Sequence, residues 1–162
     1  MKPKLPDTVS SIQDLQALII EVREYTKWFS HAAILKKMNG KNVPNPPSLS
    51  PSTSEMIRSW ANSKPLSRQN LDLLIIGLEK YKHSAENMTI ILAAPATGDI
   101  KKQLVGWCRK NISDNILVSF QFNATILGGM VVRYGSRIFD WSFRRQILAN
   151  RTKFPEVLKN VW

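Results

Sequence analysis

The chain has 162 residues, 43% of them hydrophobic, enough for one well-buried core or for two small ones. Its 23 basic residues face 12 acidic ones, and the net charge of +11 bears on partners (nucleic acid, an anionic membrane surface, an acidic protein) rather than on fold. Cys108 is the only cysteine, which excludes an internal disulfide framework, and no stretch approaches the roughly 18 apolar residues of a membrane-spanning helix.

The opening MKPKLPDTVSS carries Lys2 and Lys4 with no apolar region behind them, so a signal peptide is not expected and a soluble intracellular protein is. From about Ser10 to Phe29, Ile12, Leu15, Leu18, Ile19, Val22, Tyr25 and Phe29 form a helical stripe, with Ser11 and Asp14 as its N-terminal cap signal. A short second helix, Ala32 to Met38, is expected to follow after a kink and to stop at Asn39-Gly40. Residues 40–54, GKNVPNPPSLSPSTS, read as a Pro- and Ser-rich loop. Ser54 is the expected cap of a helix over Glu55 to Asn62, which Lys64-Pro65 breaks. Ser67 is the expected cap of a longer one, Arg68 to His83, with Leu71, Leu74, Ile75, Leu78 and Tyr81 as its apolar face.

After Ser84 the hydrophobic period changes from 3.6 to 2. Met88 to Ala94 reads as a buried strand ended by Pro95, and Thr97 or Asp99 opens an amphipathic helix to Asn111. Ile100, Leu104, Val105, Trp107 and Cys108 are its expected apolar members, with Trp107 and Cys108 in the core. Ile116 to Asn123 alternates, with Val118, Phe120 and Phe122 expected inward. Gly129 to Tyr134 and Arg137 to Asp140 form a hairpin across Gly135-Ser136, and Ser142 to Asn150 closes the series as a helix. The fold class is therefore α+β: a helical domain, 1–84, then a small sandwich, 85–150, of one mixed sheet and one or two helices, with a tail at 151–162.

The chemistry-bearing residues point away from catalysis. Gly128-Gly129 lies between two strand-like segments with no Gly-Lys-Ser/Thr after it, so the pair reads as a bend that allows close backbone approach, not as a phosphate loop. Asp140 or Ser142 can cap the last helix, and no histidine stands near them for a Ser-His-Asp arrangement. His31 and His83 lie on separate helices without ligand-spaced companions; no metal and no cofactor are expected. Arg144 and Arg145 sit in a first helical turn, where cations oppose the helix dipole, and invite either pairing with Asp140 or an acidic partner. Trp107, Trp141, Phe143 and Trp162 are the large aromatics from which a partner anchor would come, and Trp141, at a turn, is the first choice.

From Met88 to Leu148 the chain resembles the C-terminal domain of the delta subunit of F-type ATP synthase, the family that includes the oligomycin-sensitivity-conferring protein. The resemblance rests on NATILGGMVVRYGSRIFDWSFRRQIL, in which Gly128, Gly129, Arg133, Gly135, Asp140, Ser142 and Arg144 match the family pattern in register. Asn123-Ala124 replaces the usual Asp-Pro, Trp141 the usual glycine, and Arg145 a commonly small residue. The family's N-terminal bundle of about six helices has no counterpart motif here, where four helical segments at most are read. The resemblance implies a non-catalytic stator subunit that joins the catalytic alpha/beta head to the b subunit of the peripheral stalk. It also implies peripheral attachment at the cytoplasmic face of the cell membrane and no homo-oligomer. Trp141, Arg144 and Arg145 are the candidate partner-binding residues. The competing class is a basic nucleic-acid-binding module, against which Phe120 and Phe122 read as core residues and no RNA-stacking motif is present; no nucleic acid is expected.

Overall fold

Ser11 begins the first helix by a reciprocal exchange: its Oγ accepts from the Asp14 N–H (3.2 Å) while the Asp14 carboxylate accepts from the Ser11 N–H (3.0 Å). In the computed structural model, which describes residues 3–38 and 44–151, the chain divides into two units, Met1–Ala85 and Glu86–Trp162. The first is helical. Its helix α1, Ile12–Lys37, buries Leu15, Leu18, Ile19, Val22 and Thr26 along one stripe. The two expected helices are one continuous helix. Thr26 Oγ1 donates to the Val22 carbonyl (2.7 Å) and Ser30 Oγ to the Thr26 carbonyl (2.9 Å), so the polar side chains are satisfied inside the helix without interrupting it. The stop signal Asn39-Gly40 and residues 41–43 of the Pro-rich stretch lie outside the described residues.

Helix α2, Pro51–Ser63, starts earlier than the sequence suggests. Its cap is Ser50, whose Oγ accepts from the Thr53 N–H (3.3 Å), and not Ser54. Pro51 suits the first helical position because that residue's N–H would have no partner in any case. The Glu21 carboxylate of α1 accepts from both the N–H and the hydroxyl of Ser50 (2.9 and 2.8 Å), tying the start of α2 to α1. Helix α3, Arg68–Ser84, is capped by Ser67 as expected and packs chiefly on α1. Leu71, Leu74 and Leu78 are fully buried, and the indole N–H of Trp60 on α2 donates to the Asn70 carbonyl (2.9 Å). An Arg23–Glu79 ion pair links α1 and α3 at the surface. The described residues of this unit thus hold three helices where four had been read.

The second unit is a four-stranded mixed sheet with helices α4, Gly98–Asn111, and α5, Phe143–Ala149. Strands β1 (Glu86–Leu92), β2 (Ile116–Phe122), β3 (Met130–Tyr134) and β4 (Arg137–Asp140) lie in the order β2-β1-β3-β4. β1 pairs in parallel with β2, from Glu86 opposite Ile116 to Leu92 opposite Phe122, and antiparallel with β3; β3 and β4 form the expected hairpin. α4 is the crossover that a parallel β1–β2 pair requires. Alternation along the strands makes two cores. Met88, Ile90, Ile116, Val118 and Val132 meet Val105 and Cys108 of α4 on one face. On the other, Ile91 and Val131 meet Ile126 of the short turn Ala124–Ile126. Cys108 is a buried structural residue, its Sγ 3.9 Å from the Met88 sulfur, and burial pushes its thiol pKa up.

Two substitutions distinguish the helix starts. Ser50→Ala should cost about 1 kcal/mol in urea unfolding followed by circular dichroism, whereas Ser54→Ala should stay within about 0.5 kcal/mol.

Candidate functional site

The glycine pair packs against the exit of the β3–β4 hairpin. The turn Ala124–Ile126 ends with Leu127 in the left-handed region (φ 62°), after which Gly128 (φ 143°) and Gly129 (φ 73°) turn the chain into β3. Both angles favour glycine. A methyl group on Gly129 would overlap the Trp141 carbonyl oxygen, and one on Gly128 would sit 2.5 Å from the Phe143 ring. Two hydrogen bonds hold the approach: Trp141 N–H donates to the Met130 carbonyl (2.9 Å), and Phe143 N–H to the Gly128 carbonyl (3.1 Å). The pair is thus a site of close backbone packing and has no phosphate-loop geometry. Gly135 (φ 56°) makes the hairpin turn.

Asp140 and Ser142 then share the capping. Ser142 Oγ accepts from the Arg145 N–H (3.2 Å), and Asp140 Oδ1 accepts from the Ser142 N–H (2.9 Å). Hydrogen bonds from the Ser142 hydroxyl and then its N–H hold the Asp140 carboxyl below the usual carboxylate range, with the Arg145 and Arg144 charges adding to the effect against slight desolvation. Arg145 Nη1 reaches the Asp140 backbone carbonyl (3.1 Å), while Arg144 projects from α5 exposed to solvent. Arg133, on β3 opposite Ile138, shares with Asp140 the sheet face away from α4.

On the α4 face the sheet is only partly covered. α4 packs on β2, and between it and the β3–β4 hairpin lies an apolar groove of about 660 Å³, its walls including Leu104, Trp107, Met130, Val132, Phe139 and Trp141. Trp107 was expected in the core, but it is 59% exposed. Val105 and Cys108 take the positions against the sheet, and Trp107, turned about 100° from Cys108, becomes the groove wall. Trp141 is 55% exposed, and its ring stacks on Phe139 at 5.8 Å between centroids. Phe122 departs from expectation too: it ends β2 exposed at 58%, while Phe120 is partly buried against the core as read. Phe143 is exposed beyond its contact with Gly128, and Trp162 lies outside the described residues. The sequence reading passed over Phe139, although its spacing of two from Trp141 across Asp140 placed both aromatics on one face. Among the described residues no group of histidine, cysteine and carboxylate side chains could hold a metal ion.

Residues 75–153 match the family model described as ATP synthase delta (OSCP) subunit, a span that begins within α3 and covers every described element of the second unit. Among curated proteins none matches the chain.

Gly129→Ala should destabilise the second unit by about 3 kcal/mol or more, through left-handed strain together with backbone overlap, whereas Gly98→Ala, open on all sides at the start of α4, should be neutral or slightly stabilising in the same denaturant titration. A pH series tests the capping. Because the folded Asp140 pKa is depressed, its stabilising contribution is complete above the unfolded value of about 3.9 and is lost as pH falls through the lower folded value. Asp140→Asn should flatten that part of the acid-side stability profile, and a carboxyl chemical-shift titration should place Asp140 below the usual carboxylate range.

Proposed function

We propose, from the premise that residues 75–153 belong to the ATP synthase delta (OSCP) subunit family, that this chain joins the catalytic head of the rotary complex to its b-subunit stalk. The family match is the observation that carries the reading: it supports a peripheral-stalk subunit at family level, in a family that is non-catalytic. In the proposed role the chain bridges two partners, so that rotation of the shaft acts on the catalytic sites instead of turning the head. Its contribution is binding free energy at two surfaces. Attachment to the membrane at the cytoplasmic face of the cell is peripheral and runs through the complex; no helix of the described residues is long and apolar enough to cross a membrane.

The stalk surface is assigned to the hairpin exit and α5. There Arg144 and Arg145 follow the exposed Trp141 in sequence, on the other side of the hairpin exit, and offer a partner cations suited to an acidic helix next to an edge that carries a large aromatic anchor. The +11 net charge acts in the same sense, speeding encounter with an acid-rich partner. Residues 1–74 lie outside the family match, and no residue of the first unit is assigned to the head.

The test uses the full chain with the b subunit and, separately, the catalytic head of its own organism. Both should form complexes, and failure with both overturns the reading. Arg144→Glu with Arg145→Glu should weaken b-subunit binding at least about tenfold at low salt, with the difference shrinking as salt rises. Unchanged affinity would remove these residues from the interface.

A further inference from the structure

We propose that in the free chain the outer edge of β2 pairs with the same edge of a second copy, joining two four-stranded sheets into one. The two edges of the sheet differ in kind. β4 is blunted in ways that discourage pairing, being four residues long with Arg137 and Asp140 at its ends. β2 carries none of these protections. Its seven residues, ILVSFQF, include no charge, proline or glycine, and its register with β1 runs unbroken from Ile116 to Phe122.

The direction of its free backbone groups follows from the ladder. The Asn115 carbonyl accepts from the Glu86 N–H (3.1 Å) and the Asn123 N–H donates to the Leu92 carbonyl (2.9 Å), so the odd-numbered residues turn their backbone groups toward β1. The N–H and C=O groups of Ile116, Val118, Phe120 and Phe122 therefore point outward. The Ile116 N–H bends back to the Ser113 carbonyl (3.2 Å), and among the described residues no strand pairs with this edge.

A second copy completes the edge in one register. In antiparallel pairing about a two-fold axis through Ser119, Val118 of each copy lies opposite Phe120 of the other, Ile116 opposite Phe122, and Leu117 opposite Gln121. All four outward-facing residues then fall in hydrogen-bonded pairs, whereas an axis at Val118 or Phe120 leaves one end of each strand unpaired. The facing pairs set an aromatic on a β-branched side chain, a favourable cross-strand combination, and they cover the Phe122 ring, exposed in the single chain. No charge meets its like across the strands, the hazard that a net charge of +11 brings to self-association elsewhere on the surface. A seven-residue edge buries less than the roughly 1,200 Å² at which stable complexes begin, so the pairing is a concentration-dependent equilibrium, half complete on the order of 100 µM.

Sedimentation of the full chain tests this without stalk or head, and so apart from the stalk reading. The mean mass should rise from 18.4 kDa toward twice that value between about 10 µM and about 1 mM, and added salt, which screens the like charges, should strengthen the association. Ser119→Lys sets two ammonium groups face to face on the axis. It should raise the dissociation constant at least about tenfold while the circular dichroism stays that of the folded chain. Ser119→Cys gives a second readout. Its two Cα atoms would lie about 4.5 Å apart, within disulfide range, so mild oxidation should cross-link the copies. Gln121→Cys, exposed but four residues along from its own counterpart, should not cross-link. A chain that stays monomeric to about 1 mM overturns the proposal. So does a dimer untouched by Ser119→Lys, or one that Gln121→Cys cross-links as fast as Ser119→Cys, since each places the contact elsewhere on the molecule.

Discussion

The second unit depends on one close approach, the Gly129 backbone against the Trp141 carbonyl. Because no side chain fits between them, the segment entering β3 and the segment leaving β4 lie in backbone contact, and the hydrogen bonds from Trp141 to Met130 and from Phe143 to Gly128 can close. Their closure fixes the direction in which α5 leaves the sheet. It also sets Trp141 beside Phe139 at the groove and turns Arg144 and Arg145 to the other side. Three properties that look separate in the sequence, a glycine pair, an aromatic rim and a basic helical turn, are thus consequences of one packing constraint.

The same junction resolves the electrostatic conflict of α5. Two arginines in a first turn oppose the helix dipole, at a cost of about 0.3 to 1 kcal/mol each. The chain answers locally: Ser142 accepts from a first-turn N–H, Asp140 keeps its negative charge at the helix N-terminus, and Arg145 spends one of its donors on the Asp140 carbonyl. Arg144 has no such local bond to the turn and projects into solvent.

What the sequence made legible followed from short-range physics. The period change after Ser84, the caps at Ser11, Ser67 and Ser142, and the two-residue turn at Gly135-Ser136 are each specified within about four residues, and each is found in the structure. The errors arose where a local signal had two solutions or where burial was decided at a distance. Pro51 seemed to belong to a loop, yet proline is equally at home at a first helical position, and the choice was made by Glu21, twenty-nine residues away, reaching Ser50. Trp107 was assigned inward as a large apolar member of its helix, and Phe122 by the alternation of its strand. Whether a helix or strand end meets anything there depends on how much of the sheet one helix covers, and no local pattern encodes that. The site residues show the same division: Gly128, Gly129, Asp140 and Ser142 were legible as turn and cap chemistry, and the groove was not.

β1 is the interior strand nearest the other unit in sequence. Only Ala85 separates α3 from β1, so a pull transmitted along the backbone from the helices enters the sheet along the axis of a seven-residue strand held by β2 on one flank and β3 on the other. The hydrogen bonds of both flanks then share the load. Had the chain entered through β4, four residues long and flanked on one side only, the same tension would have fallen on a single, shorter ladder. The strand order therefore puts the best-held strand at the junction with the helices and the least-held one at the hairpin.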